Sequence, residues 1–238
     1  MSPRTSRERE LAHDRLTARF DELMDDYDLG RRAHVLVDQF LGSVDIRGAR
    51  VLDGGCGVGG LTRVLTAKGA RVVALDIGPQ LTAATRQRCR CSAVVGTLTA
   101  LGFSSGTFDV VVSSEAIEHT ADPERAVSEL YRVLKPGGYL VLSTPNRLWQ
   151  GPVRIASAIG WRPYDGYENF LWPGELRRIL ERQGGRVIDH RGIHLWPFQI
   201  TPLRRLSTSV DRFGRRLLTL MINQCISCLK PAARSEPT

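Results

Sequence analysis

The segment Val51-Leu52-Asp53-Gly54-Gly55-Cys56-Gly57-Val58-Gly59-Gly60 constrains this chain more than any other. A short apolar run meets an acid, and the acid meets glycines at alternate positions. Gly55, Gly57 and Gly59 permit a tight turn in which backbone approaches a ligand where a side chain would collide. Helix-forming residues follow from Leu61 to Lys68. Strand, glycine loop and helix in this order open a doubly wound α/β domain with its ligand at the loop. The loop alone does not choose the ligand. G-x-G-x-G also opens dinucleotide sites, and Gly60 supplies the third glycine at their spacing. The flanks discriminate. Arg71-Val72-Val73-Ala74-Leu75-Asp76 reads as a second strand ending in an acid, which can accept hydrogen bonds from both hydroxyls of a ribose. Asp53, just ahead of the loop, would repel a pyrophosphate and suits a cationic ligand.

Two further stretches sharpen the reading. FDVVVSSEAIEH (108–119) is a strand running into acids and a histidine. In ELYRVLKPGGYLVLSTPN (129–146), a helix ends at Lys135 and Pro136-Gly137-Gly138 turns the chain into an apolar strand. On these motifs, residues 30–145 resemble the class I S-adenosylmethionine-dependent methyltransferases. The resemblance implies an α/β fold: a doubly wound, seven-stranded, mostly parallel Rossmann-like sheet. It implies S-adenosyl-L-methionine as cofactor. Gly55, Cys56 and Gly57 would pass under its amino-acid end, and Asp53 would orient that end through water or the loop amides. Asp76 would hold the ribose and Ile77 would lie against the adenine. Family members often carry Gly-Asp-Ala before strand four, with the Asp on the adenine amino group. Here the run is Gly96-Thr97-Leu98. The contact then falls to the Thr97 hydroxyl or the Leu98 backbone, and is weaker without charge assistance. Ser114, at the end of strand four, completes the cofactor-side candidates.

Strand four ends in Ser113-Ser114-Glu115-Ala116-Ile117-Glu118-His119, at the sheet edge where this fold places its chemistry. Methyl transfer is an in-line displacement that needs an electron-rich nucleophile held about 3 Å from the sulfonium carbon. His119 could act as a base on a hydroxyl or amine. Alternatively Glu115, Glu118 and His119 could hold Mg²⁺, on which a bound hydroxyl ionises more readily. A third reading is structural, with Glu118-His119 capping the strand-to-helix turn. The E-x-x-E-H pattern resembles that of the ubiquinone-biosynthesis O-methyltransferases, which also carry an insertion after strand five. This implies a hydroxyl of a phenolic or lipophilic metabolite as acceptor. Two other functions stay open: N- or O-methylation of a sugar or natural product, and cofactor binding without catalysis, for which Thr97 is the sole support.

The 238 residues read as a single domain. Residues 1–45 form an N-terminal helical cap, 46–146 the cofactor core, and 147–173 a lid insertion. Residues 174–230 carry a helix and strands six and seven, and 231–238 form a disordered tail. Leu11, Leu16, Phe20, Leu23 and Met24 fall near helical spacing in a charged segment over about 1–28, and 33–41 reads as a second helix. All four tryptophans lie beyond residue 145; with Tyr164, Tyr167 and Phe170 they could stack on a flat acceptor or pack the insertion's own small core. Residues 203–220 alternate leucines with arginines in one amphipathic helix, fit for the protein's own body or a membrane surface. The net charge is +8, but only three basic residues are lysine and the arginines are scattered among acids. That pattern indicates a solvated basic surface rather than a nucleic-acid footprint. The Arg/Glu-rich N-terminus is no signal peptide, and no apolar run nears the ~20 residues of a membrane span, which together predict a cytoplasmic protein. Five cysteines read as buried free thiols.

Overall fold

The computed structural model describes residues 5–19, 25–160, 166–197, 199 and 201–232. Phe20, Leu23, Met24, Trp161, Tyr164 and most of the expected 231–238 tail lie outside them, as does the side chain of Leu16. Seven strands form one sheet: β1 Arg50–Gly54, β2 Arg71–Asp76, β3 Ser92–Val95, β4 Phe108–Ser114, β5 Leu134–Pro145, β6 Arg186–Ile193 and β7 Asn223–Leu229. The strand order is β3-β2-β1-β4-β5-β7-β6. β1 to β5 pair in parallel, whereas β7 runs antiparallel between β5 and β6. The expected architecture is present, with β7 between β5 and β6.

Two apolar layers sandwich the sheet, so the central strands read as near-continuous apolar runs. Successive residues take opposite faces. Leu52, Val111, Leu140, Leu142 and Ile226 enter one layer with Leu130, Leu176 and Leu180. Val51, Val110, Val112, Val141 and Cys225 enter the other with Val35, Leu36 and Leu65. All five cysteines are free. Cys225 and Cys228 are buried in β7, while Cys89 and Cys91 are half-buried beside β3, with four strands between.

The helices are α1 Ser6–Glu10, α2 Asp26–Ala33, α3 Gly60–Ala67, α4 Pro79–Cys89, α5 Pro123–Arg132, α6 Gln150–Ala158, α7 Pro173–Arg182 and α8 Arg204–Val210. Asp122 caps α5 by accepting from the Arg125 amide at 2.9 Å, with proline at the first position. Four boundaries differ from the sequence reading. The charged N-terminal segment is not one helix: α1 is followed by a 3₁₀ turn over Asp14–Arg19. The second helix begins at Asp26, because Asp25 caps it, and continues as a wider π-helical turn over His34–Gln39. α5 ends at Arg132, not Lys135. Leu134 is already extended and paired with Phe108, and Gly138 passes so close to the Asp109 carbonyl that a Cβ there would lie 2.7 Å from it.

The fourth difference is the run 203–220. It is not a single amphipathic helix. α8 stops at Val210, a 3₁₀ turn spans Asp211–Phe213, and turns follow. Buried Asp211 breaks the helix by accepting from the His194 amide and from the Arg31 guanidinium. Gly214 exchanges backbone hydrogen bonds with this corner and with Gly192 of β6. Leu206, Phe213 and Leu220 are left exposed. In the insertion, α6 has no buried residue, and Ile155 and Ile159 are exposed. Of the described aromatics there, Phe170 alone is buried, so they do not build a small core of their own.

Candidate active site

The carboxyl ends of β1, β2 and β4 open onto one cleft of about 530 Å³, counted out to its mouth. Gly55, Asp76, Ile77, Thr97, Leu98, Glu115 and His119 line it, together with Glu10, His13 and Asp14 from the N-terminal segment. Gly55 has φ +81°, and a Cβ added there would overlap the Ala116 methyl. The loop therefore folds down on the turn after β4 because residue 55 has no side chain. Its amide and that of Cys56 donate to the Leu75 carbonyl at 2.7 and 3.0 Å. Asp76 accepts from the Gly57 amide at 3.0 Å through Oδ2 and from the Gly78 amide at 2.9 Å through Oδ1. Burial raises its pKa, and these two amides pull it back. Each oxygen keeps a second acceptor position.

Five expected site residues do not line the cleft. Asp53 is turned away from it, accepting from Thr62 Oγ1 of α3 at 2.5 Å; burial pushes its carboxyl up to about 6. It ties the loop to the helix. Cys56 packs toward Thr85 of α4, and burial raises its thiol far out of the reactive range. Gly57 contributes its amide to Asp76. Ser114 Oγ is engaged by Arg32 Nη1 at 2.8 Å and by Ser143 Oγ at 2.9 Å. Glu118 is buried, and accepts from Thr144 Oγ1 at 2.9 Å.

At the β4 end, Glu115 sits at φ +52°, a conformation non-glycine residues rarely adopt. Asn223 Nδ2 donates to its Oε2 at 2.5 Å, while Oε1 is buried without a partner. Burial pushes the Glu115 carboxyl up to about 7, against the pull of Arg32 behind it. Burial and neighbouring Glu115 hold Glu118 well above the usual carboxylate range. His119 Nδ1 lies 2.8 Å from the Tyr167 carbonyl. A carbonyl only accepts, so Nδ1 bears the proton and Nε2 is the basic nitrogen. Glu118 Oε1 is 3.8 Å from Nε2, beyond hydrogen-bond reach. The magnesium reading fails on this donor set: Glu115 turns to Asn223, Glu118 to Thr144, and among the described residues no three His, Cys, Asp or Glu side chains converge.

Residues 52–142 match the family model described as a methyltransferase domain. A ubiquinone biosynthesis O-methyltransferase of Xanthomonas oryzae pv. oryzae (strain PXO99A) is 33% identical over 180 residues, covering 69% of this chain and 74% of the relative. The chain belongs to the S-adenosylmethionine-dependent methyltransferases. The fold agrees. Magnesium protoporphyrin IX methyltransferase from Synechocystis PCC 6803, solved with bound SAH, superposes with a TM-score of 0.67 at 16% identity over 94% of this chain and 98% of its own. The [4+2]-cyclase SpnF superposes at 0.71 with 18% identity over 98% and 99%.

The methyltransferase cleft fits the cofactor that its family uses. The loop presents backbone without side chains, Asp76 offers carboxylate acceptors, and Ile77 and Leu98 give apolar walls. Sequence reasoning missed four residues. Arg32 is 4% exposed, pairs with Asp28 Oδ2 at 2.8 Å, and backs Glu115. Asn223 holds Glu115. Asp14 Oδ1 accepts from the Gln80 and Leu81 amides at 2.9 and 3.1 Å, capping α4, whose own N-cap Gly78 has no side chain. His13 meets the His119 ring edge-on, 4.4 Å between centroids. None of the four lies in a motif.

Proposed function

We propose that this methyltransferase acts on a hydroxyl of a phenolic or otherwise lipophilic small molecule, with His119 as base. The observation that carries the reading is the His119 imidazole, which lines the cleft with its Nδ1 proton committed to Tyr167. Bound S-adenosylmethionine supplies a methyl carbon made electrophilic by its sulfonium. His119 Nε2 would take the hydroxyl proton as the acceptor oxygen displaces the sulfur at that carbon. Removing that proton is worth typically 10²–10⁴-fold in rate. Glu115, the nearest alternative base, has a carboxyl pushed up to about 7 and lines the same cleft.

In this reading Asp76 accepts from the ribose hydroxyls, Ile77 and Leu98 flank the adenine, and the Thr97 hydroxyl meets its amino group. Residues 5–19 cap the cofactor, and the 147–173 insertion faces the acceptor. The relative from Xanthomonas, named for O-methylation in ubiquinone biosynthesis, supports a hydroxyl acceptor. The exposed Ile155 and Ile159 of the insertion suit an apolar one.

The test uses methyl-labelled S-adenosylmethionine and an extract of the source cells, partitioned between organic solvent and water. Label should enter the organic phase, and His119→Ala should slow that transfer by about 100-fold. Label confined to the aqueous phase would replace this reading with methylation of a sugar or polar natural product.

A further inference from the structure

We propose that the N-terminal segment completes the active site, with His13 as a positioning residue for His119; this rests on the reading of His119 as base. The 5–19 segment is fastened to three separate parts of the fold. Tyr167 Oη of the insertion donates to Ser6 Oγ at 3.0 Å, and the Arg9 guanidinium lies 4.3 Å over the Tyr167 ring. Glu10 Oε1 accepts from the Ala121 amide at 3.2 Å, just after the β4 turn. Asp14 caps α4. Between the last two anchors the segment lies along the cleft and delivers the His13 ring to His119.

Two constraints on the base therefore run through one segment. The hydrogen bond from Nδ1 to the Tyr167 carbonyl fixes the tautomer of His119 and holds one edge of its ring. The edge-on His13 ring bears on the plane of that imidazole, because such a contact has a preferred geometry. The carbonyl itself belongs to Tyr167, whose side chain the same segment grips through Ser6 and Arg9. The segment thus does more than cover the cofactor. With it in place, the Tyr167 carbonyl and the His13 ring both bear on the imidazole that carries Nε2.

The experiment measures kcat, acceptor KM and S-adenosylmethionine affinity for His13→Ala, His13→Phe and His119→Ala in the full chain, with thermal melts to verify folding. His13→Ala should lower kcat at least tenfold while cofactor Kd stays within about twofold. His13→Phe, which keeps an aromatic edge and has no titratable nitrogen, should recover most of that loss. Wild-type kcat in a folded His13→Ala overturns the proposal. So does a His13→Phe as slow as His13→Ala, since the imidazole's own chemistry would then be required. A weakened cofactor Kd with unchanged kcat reduces the segment to a cover and overturns it too. If His119→Ala keeps wild-type kcat, the base assignment itself is wrong. If His119→Ala is inactive and His13→Ala is not, only the positioning role fails.

Discussion

Gly55 carries two demands at one position, a left-handed φ and an α-carbon lying on Ala116. Gly55→Ala should cost about 2–3 kcal/mol through strain and overlap, and lower the melting temperature by roughly 4–10 °C. A melting temperature within a degree of wild type would mean that the loop does not close on the β4 turn. Asp76 is a different case. Asp76→Ala loses the Gly57 and Gly78 amide contacts together with the carboxylate. S-adenosylmethionine binding measured by calorimetry should weaken at least tenfold, and unchanged affinity would remove Asp76 from the site. The places of both residues at the cleft were legible in sequence because they follow from neighbours in the same strand or loop. Asp53 was legible as an acid before a glycine loop, but its bond to Thr62 of the following helix is a contact that the tertiary structure alone shows. Asn223 and Arg32 had no sequence signal, because each meets Glu115 or Ser114 across some eighty residues or more of chain.

Elements followed the same division. The strands β1, β2, β4 and β5 fall near where their apolar runs put them, since these signals act within a few residues. The 203–220 run misled because leucines at helical spacing also arise from a short helix and two turns packed on one surface. What stops that helix is Asp211, drawn inward by Arg31 and the His194 amide. The cap on α4 was equally hidden. Gly78 offers no side chain, and Asp14 arrives from 66 residues upstream in its place. Asp14→Ala should cost about 1 kcal/mol and lower the melting temperature by roughly 2–4 °C. Asp14→Asn, which keeps an acceptor oxygen, should lose less; equal losses would show that capping is not what Asp14 contributes.

Over the whole molecule, the ionisable groups make stability depend on pH in a defined direction. Glu115 is raised from 4.5 to about 7, and Asp53 from 3.8 to about 6. Both hold protons in the folded state that the unfolded chain has released. Their contribution is full below pH 4 and is lost as pH rises through 6 and 7. His190 runs the other way: burial lowers it from 6.5 to about 4, so it favours the folded state as pH rises between those values. Above pH 6.5 only the carboxyl effect of these groups remains, and the melting temperature should fall between pH 6.5 and 7.5. Glu115→Gln should flatten that slope; an unchanged slope would mean that Glu115 titrates normally. Composition could not foretell this, because charge counts carry no burial. By itself the sequence determined the strand–loop–helix opening, the acid at the end of β2, the E-x-x-E-H run and hence the family, since each is a local pattern whose partners lie within one turn or one strand. Only the tertiary structure decided which nitrogen of His119 is basic, which carboxyls burial pushes up, that Glu115, Glu118 and His119 do not gather round one ion, and that the N-terminal segment lies across the cleft. Those properties depend on burial and on contacts between residues far apart in the chain, and no spacing rule encodes them.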